Sequence, residues 1–231
     1  MTADARVAPA ARRRRTGGAD SLRITEIFYS LQGEARDAGY PTVFVRLTGC
    51  PLRCRYCDTA YAFTGGERLT LDDILSRVAA HGVPHVCVTG GEPLAQPGCA
   101  DLVRRLCDAG HIVSVETSGA LDIRPIDRRA SRVVDLKTPG SGEVDRNRWD
   151  NLAALTDNDQ IKFVICDRAD FDWACARVRE HDLTARCPVW FSPSHETLPP
   201  ATLAEWLMAE ALPVRLQLQL HKLLWGDEPG R

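Results

Sequence analysis

The chain has 231 residues, 44% of them hydrophobic and 26% charged, with a formal net charge of −2 at pH 7. That length gives one domain, or two small ones, with enough chain to bury a sizeable core. The near-neutral balance offers no global attraction to nucleic acid or an anionic membrane, no apolar run approaches the ~18 residues of a membrane span, and collagen, coiled coil and full-length disorder are excluded.

Residues 1–20 are mostly Ala, Arg, Gly and Asp, with little to bury, and read as a disordered leader before a core domain over 21–231. Arg12 to Arg15 reads as a solvated charge run. No apolar segment follows it, so export is not expected and the predicted location is cytoplasmic. Leu22–Phe28 and Thr42–Leu47 are strand-like, rich in β-branched and aromatic residues. Thr70 to His81 reads as a helix, with Thr70 and Asp73 as a capping box and Gly82 as its stop. Val83–Val88 is the next strand, and Leu102, Val103, Leu106 and Cys107 mark one face of a helix ending at Gly110. Strands follow at Ile112–Val115, Val133–Leu136, Ile161–Ile165, Val189–Phe191 and Val214–Leu220, with helices over Ala169–Glu180 and Thr202–Ala211.

Strands alternating with helices predict parallel βα units. About seven strands fall short of an eightfold barrel, for which ~250 residues is typical, so the predicted fold class is α/β, a partial TIM-like βα barrel. Polar residues gather at the predicted strand ends: Thr89 to Glu92, Glu116 to Ser118, Asp135 with Lys137, Ser192 to Ser194, and Gln219 with His221. Parallel βα folds put their sites there, so these clusters are expected on one rim.

Of nine cysteines, three form C-x-x-x-C-x-x-C at Cys50, Cys54 and Cys57. A structural zinc site wants four ligands, commonly from two hooks, and no second hook or nearby His is present. A disulfide leaves one of the three unpaired. A [4Fe–4S] cluster on three thiolates leaves one iron open for chemistry, and the spacing favours it. The other cysteines, Cys87, Cys99, Cys107, Cys166, Cys175 and Cys187, are scattered and read as small buried hydrophobes. Lys162 falls mid-strand and is expected either to pair with Glu116 or Asp135 inside the barrel or to sit at its rim.

The cysteine loop, with Tyr56 before its last thiol and Gly90-Gly91-Glu92-Pro93 one βα unit later, resembles the radical S-adenosylmethionine (SAM) superfamily. Glu26 to Glu34, Phe44 to Cys50, Cys57-Asp58-Thr59, Thr89 to Pro93, Glu116 to Gly119 and Leu220 to Gly226 together resemble its 7-carboxy-7-deazaguanine synthase family, over nearly all of residues 22–231. The resemblance implies the radical SAM type of partial barrel. It also implies a lyase that turns 6-carboxy-5,6,7,8-tetrahydropterin into 7-carboxy-7-deazaguanine with loss of ammonia, in queuosine and deazapurine biosynthesis. Its cofactors would be a [4Fe–4S] cluster, SAM and Mg2+, its electron donor of flavodoxin or ferredoxin type, and its assembly a homodimer.

By the same resemblance, Cys50, Cys54 and Cys57 hold the cluster and Thr59 holds Mg2+. Leu31, Gln32, Gly33, Glu34, Arg46, Thr89 and His221 contact substrate, Arg46 suiting its carboxylate. Tyr56, Cys57, Asp58, Gly91, Glu92, Asp135, Leu136, Lys137, Ser192, Pro193, Ser194 and His195 contact SAM, with Glu92 accepting from its ammonium. Asp135-Leu136-Lys137 stands where many members have Ser-Pro-Lys, Ser192-Pro193-Ser194-His195 stands near their Gln-Pro-Met, and Ala35 replaces a common glycine. Two other functions are weighed: a radical SAM activase that installs a glycyl radical on a partner protein, and a non-catalytic zinc module. A protein substrate would not need the Leu31–Glu34 loop or Arg46, and iron and sulfide analysis separates the zinc module.

Overall fold

The computed structural model describes residues 20–195, 197–226, 228 and 230. All but the last residue of the expected leader lies outside the described residues. One sheet of nine strands organises the chain: β1 Ser21–Leu31, β2 Pro41–Leu47, β3 Glu67–Thr70, β4 His85–Gly90, β5 Ile112–Thr117, β6 Ser131–Asp135, β7 Gln160–Ile165, β8 Val189–Pro193 and β9 Arg215–Leu216. Their order is β3-β1-β2-β4-β5-β6-β7-β8-β9. From β2 to β9 along this order every pairing is parallel, which is the expected open βα barrel.

The parallel strands read as near-continuous apolar runs because both faces are covered. Val43, Val45, Val86, Val88, Val113 and Val115 form one core with α1 Leu71–Ala79 and α2 Cys99–Asp108. Ile161, Phe163, Val189 and Phe191 form a second with α3 Arg168–Glu180 and α4 Pro200–Glu210. On β6 lies a fully buried ion pair, Arg132 with Asp159, joined at 2.8 Å through Nε and 2.5 Å through a terminal nitrogen. Asp159 also accepts from the backbone N–H and hydroxyl of Thr156, so its lone pairs are satisfied as a buried carboxylate requires.

Three departures from expectation matter. First, β1 is antiparallel to β2, with Leu31 opposite Pro41 and Phe28 opposite Phe44. Loop 32–40 therefore leaves the sheet at the end opposite the cysteine loop. The edge strand β3 pairs antiparallel with β1; its Glu and Arg neighbours hide any strand signal. Second, Thr70 does cap α1, accepting from the Asp73 N–H at 3.1 Å. The capping box is not reciprocal, because the Thr70 hydroxyl itself donates to the Asp73 carboxylate at 2.7 Å. Third, the strand expected over Val214–Leu220 shrinks to β9, and a helix, α5 Leu220–Trp225, follows. Tertiary bonds override the strand-like composition: Gln219 donates through Nε2 to Glu34 at 2.7 Å and Leu220 N–H to the Gly33 carbonyl at 3.0 Å. His221 accordingly sits in a helical turn rather than at a strand end.

Ala35 is buried with φ of 60°, a left-handed conformation that costs an L-residue roughly 1–2 kcal/mol. Ala35→Gly is expected to stabilise the protein by about 1 kcal/mol. A urea midpoint that rises at unchanged slope would register this, and an unchanged or lower midpoint would contradict it.

Candidate active site

The strand ends and loop 32–34 enclose a cavity of about 330 Å³. Cys50, Cys54 and Cys57 line it together, half-buried and free of disulfides. Their loop leaves β2 and is held from several sides. Gly49 N–H donates to Ala62, and the Gly49 carbonyl accepts from Glu92 N–H at 2.8 Å. Leu52 is buried as an apolar peg. Gly91 has to be glycine, since a Cβ there would lie 2.5 Å from the Gly49 carbonyl and 2.6 Å from Cys50 Cβ.

Burial raises the Cys50 thiol and pushes Cys54 up to about 11. Thiolates at these positions need a metal cation to stay ionised. Among the described residues no three Cys, His, Asp or Glu side chains are gathered around a single ion. Three free thiols on one cavity wall are a donor set that fits a [4Fe–4S] cluster.

Of the other expected contacts, Leu31, Gln32, Gly33, Glu34, Arg46, Tyr56, Asp58, Thr59, Thr89, Gly91, Asp135, Lys137, Ser192, Pro193, Ser194, His195 and His221 line the same cavity. Two do not. Glu92 is fully buried, and its carboxylate is already taken by Thr117 Oγ1 at 2.9 Å, Ser118 N–H at 2.7 Å, Ser118 Oγ at 2.5 Å and Leu94 N–H at 2.9 Å. It fastens β4 to β5 instead of presenting an acceptor to a ligand ammonium. Leu136 packs its side chain into the second core, leaving only its backbone for a ligand.

Lys137 Nζ lies 2.5 Å from Asp135 Oδ2 and over the Tyr56 ring. Burial lowers its pKa, but Asp135 and Cys54 outweigh this and raise it. Asp135 Oδ1 and Tyr56 OH are buried without a hydrogen-bond partner among the described residues. Orphaned polar atoms at a cavity wall are what a bound polar ligand satisfies. Thr59 Oγ1 donates to Asp58 Oδ1 at 2.6 Å. Burial raises the Asp58 carboxyl, yet this bond and the cations Lys162, Lys222 and Arg46 hold it below its ordinary value.

Several residues here were not expected as ligand contacts. Glu116, at the end of β5, accepts from Thr89 Oγ1 at 2.9 Å and Gln32 Nε2 at 3.3 Å. Its strand-end position was the available signal. Phe28 and Phe44 stack with centroids 4.9 Å apart and face the cavity. Lys162 pairs with Glu34, not with Glu116 or Asp135. No sequence pattern links residues so distant; loop 32–40 enters from the far end of the barrel, so Glu34 rises to meet mid-strand β7. Desolvation pushes the Glu34 carboxyl up, but Lys162, Gln219 and His221 together lower it. Desolvation lowers Lys162, but Glu34 and Asp135 raise it. His221 crosses so close above Gly33 that no side chain fits there, and burial keeps its imidazole toward the neutral form.

Residues 44–139 match the Radical SAM superfamily. A 7-carboxy-7-deazaguanine synthase of Chlorobaculum tepidum is 44% identical over 210 residues, covering 90% of this chain and 96% of the relative. One of Koribacter versatilis is 42% identical, covering 90% and 98%. The crystal structure of QueE from Escherichia coli superposes with a TM-score of 0.71 at 23% identity, over 87% of this chain and 95% of that one, a likeness of fold. The fold and the cysteine-lined cavity are those of a radical SAM protein. Within that class the chain belongs to the 7-carboxy-7-deazaguanine synthase family.

Glu34 and Lys162 set a pH dependence. Because the Glu34 pKa is lowered in the fold, its contribution is present above the ordinary carboxylate range and is lost as pH falls through the folded value. In Lys162→Met the Glu34 charge is left buried and unpaired, at a cost of about 3–5 kcal/mol. That cost is expected to shrink in mild acid, where the stranded carboxyl takes a proton. Denaturant midpoints of both proteins at neutral and mildly acidic pH measure it; a gap that does not narrow on acidification contradicts the pairing.

Proposed function

We propose that the chain is a radical SAM lyase that converts 6-carboxy-5,6,7,8-tetrahydropterin to 7-carboxy-7-deazaguanine with loss of ammonia. The observation that carries this is one cavity holding three free cysteines beside a fixed guanidinium and a row of amide, hydroxyl and carboxylate groups. When bound, a cluster on Cys50, Cys54 and Cys57 together with SAM would supply the radical chemistry that starts the reaction. Every other task falls to side chains. Arg46 is anchored through Nε to Glu26 at 2.6 Å and lies against the Phe28 and Tyr61 rings. Held this way, its remaining N–H groups clamp the substrate carboxylate. Glu116, Gln32 and Glu34 offer acceptors and donors to the pterin edge.

SAM is assigned to Tyr56, Cys57, Asp58, Gly91, Asp135, Lys137, the Leu136 backbone and Ser192 to His195, supported by the two orphaned polar atoms at Asp135 and Tyr56. Thr59 is assigned to Mg2+, with Asp58 beside it as a second hard oxygen. A flavodoxin- or ferredoxin-type protein is the electron donor that reductive cleavage requires. A homodimer is supported by the exposed apolar side chains Met208, Leu223 and Leu224. A cytoplasmic location is supported by nine cysteines without a disulfide; among the described residues no helix is long and apolar enough to cross a membrane. The activase reading is not favoured, because the relatives that match over nine-tenths of the chain are 7-carboxy-7-deazaguanine synthases.

Anaerobic protein with reconstituted cluster, SAM, reductant and carboxytetrahydropterin is expected to form the deazapurine chromophore. Absence of turnover by protein carrying iron and sulfide would refute the proposal. Arg46→Ala is expected to raise KM for the pterin by a factor equivalent to about 2–5 kcal/mol, the range for removing one partner of a buried charge pair, while uncoupled SAM cleavage survives. Loss of both activities together would move Arg46 from substrate binding to cluster support. Thr59→Ala is expected to keep the cluster and lose stimulation by Mg2+; in chelator-treated enzyme, equal stimulation of both proteins would contradict the assignment.

A further inference from the structure

We propose that Glu143 and Ser141 are positioning residues for the middle cluster cysteine, Cys54, gripping the backbone on both sides of it. The Arg53 N–H donates to Glu143 Oε1 at 2.6 Å. The Arg55 N–H donates to the Ser141 carbonyl at 3.0 Å. Cys54 lies between these two amides, so its Cα is fixed by a turn from another part of the chain. The remaining two cysteines are held differently: Cys50 by the Gly91 close approach, Cys57 by its own N–H on the Cys54 carbonyl at 3.2 Å. Without the grip, Cys54 would sit mid-loop with exposed neighbours on both sides.

The gripping turn is itself rigid. Ser141 Oγ donates to the Thr138 carbonyl at 2.6 Å and accepts from Glu143 N–H at 3.0 Å. Beneath it lies Asp170, buried at the start of α3 and capped there by Asp167. Its carboxylate accepts from Gly140 N–H at 2.7 Å, Thr138 Oγ1 at 3.0 Å and Cys166 N–H at 3.1 Å. A fully satisfied buried carboxylate of this kind fixes the segments it joins. The turn follows directly on Asp135 to Lys137, so one rigid unit carries both the proposed SAM contacts and the grip on Cys54.

The inference rests on the cluster reading, and its test separates the two. Wild type, Glu143→Ala and Glu143→Gln are reconstituted anaerobically, assayed for iron and sulfide, and challenged with an iron chelator. Wild type is expected to carry the cluster; a wild type without iron overturns the cluster reading and the grip with it. Glu143→Ala is expected to lose iron about threefold or more faster, the scale of one charge-assisted hydrogen bond lost near the surface. Glu143→Gln keeps an acceptor and is expected to stay near wild type. A second readout needs no metal: in the apo-proteins, alkylation followed by peptide mass spectrometry is expected to speed up at Cys54 in Glu143→Ala and to stay unchanged at Cys50, whose hold at Gly91 does not run through Cys54. Iron loss at the wild-type rate, or equal acceleration at both thiols, would overturn the proposal.

Discussion

The architecture turns on a buried charge pair. Glu34 and Lys162 meet inside the barrel, both largely removed from water. Each ion alone would be too costly to desolvate, and together they hold only because further groups complete the geometry. Gln219 donates to the second Glu34 oxygen, and Leu220 reaches the adjacent Gly33 carbonyl. The loop after β1, the middle of β7 and the start of α5 are therefore tied at one point. That knot brings a floor loop up into a cavity otherwise built from the opposite strand ends. It is the reason residues from both ends of the barrel face the three cysteines.

The wall above the knot divides into groups that face a ligand and groups that aim them. Arg46 keeps its direction because Glu26 holds its Nε. Glu116 is fixed by Thr89 and Gln32. Glu92 looks like a ligand acceptor in a linear motif but spends its oxygens joining β4 to the Thr117-Ser118 corner. The motif thus encodes a close backbone approach at Gly91 and a buttress at Glu92, two different jobs in adjacent residues.

The parts legible in the sequence were those written in local chemistry. The parallel strands appear because residues such as Val43 to Val45 and Val86 to Val88 form unbroken apolar runs. The cap at Thr70 and the cysteine spacing are equally local. The antiparallel setting of β1 is not, since its alternation fits either direction and only the register with β2 decides. The partner of Lys162 was hidden because charge pairing across a barrel leaves no periodic trace. Val214 to Leu220 misled because its apolar alternation suited a strand, while two hydrogen bonds to loop 33–34 turned the chain into α5.

The grip on Cys54 is made through main-chain amides, and this shapes how the cluster loop can drift over generations. Side chains at 53 and 55 are exposed, and their identity does not enter the bonds to Glu143 and Ser141. Substitution at either position leaves a donor in place with one exception, proline, which has no N–H to give. The freedom is unequal between the two positions: the Arg53 side chain also donates to the Cys50 carbonyl at 2.9 Å and lies over the Phe63 ring, so replacing it removes a second tie within the cluster loop, whereas the tie at 55 is carried by its amide.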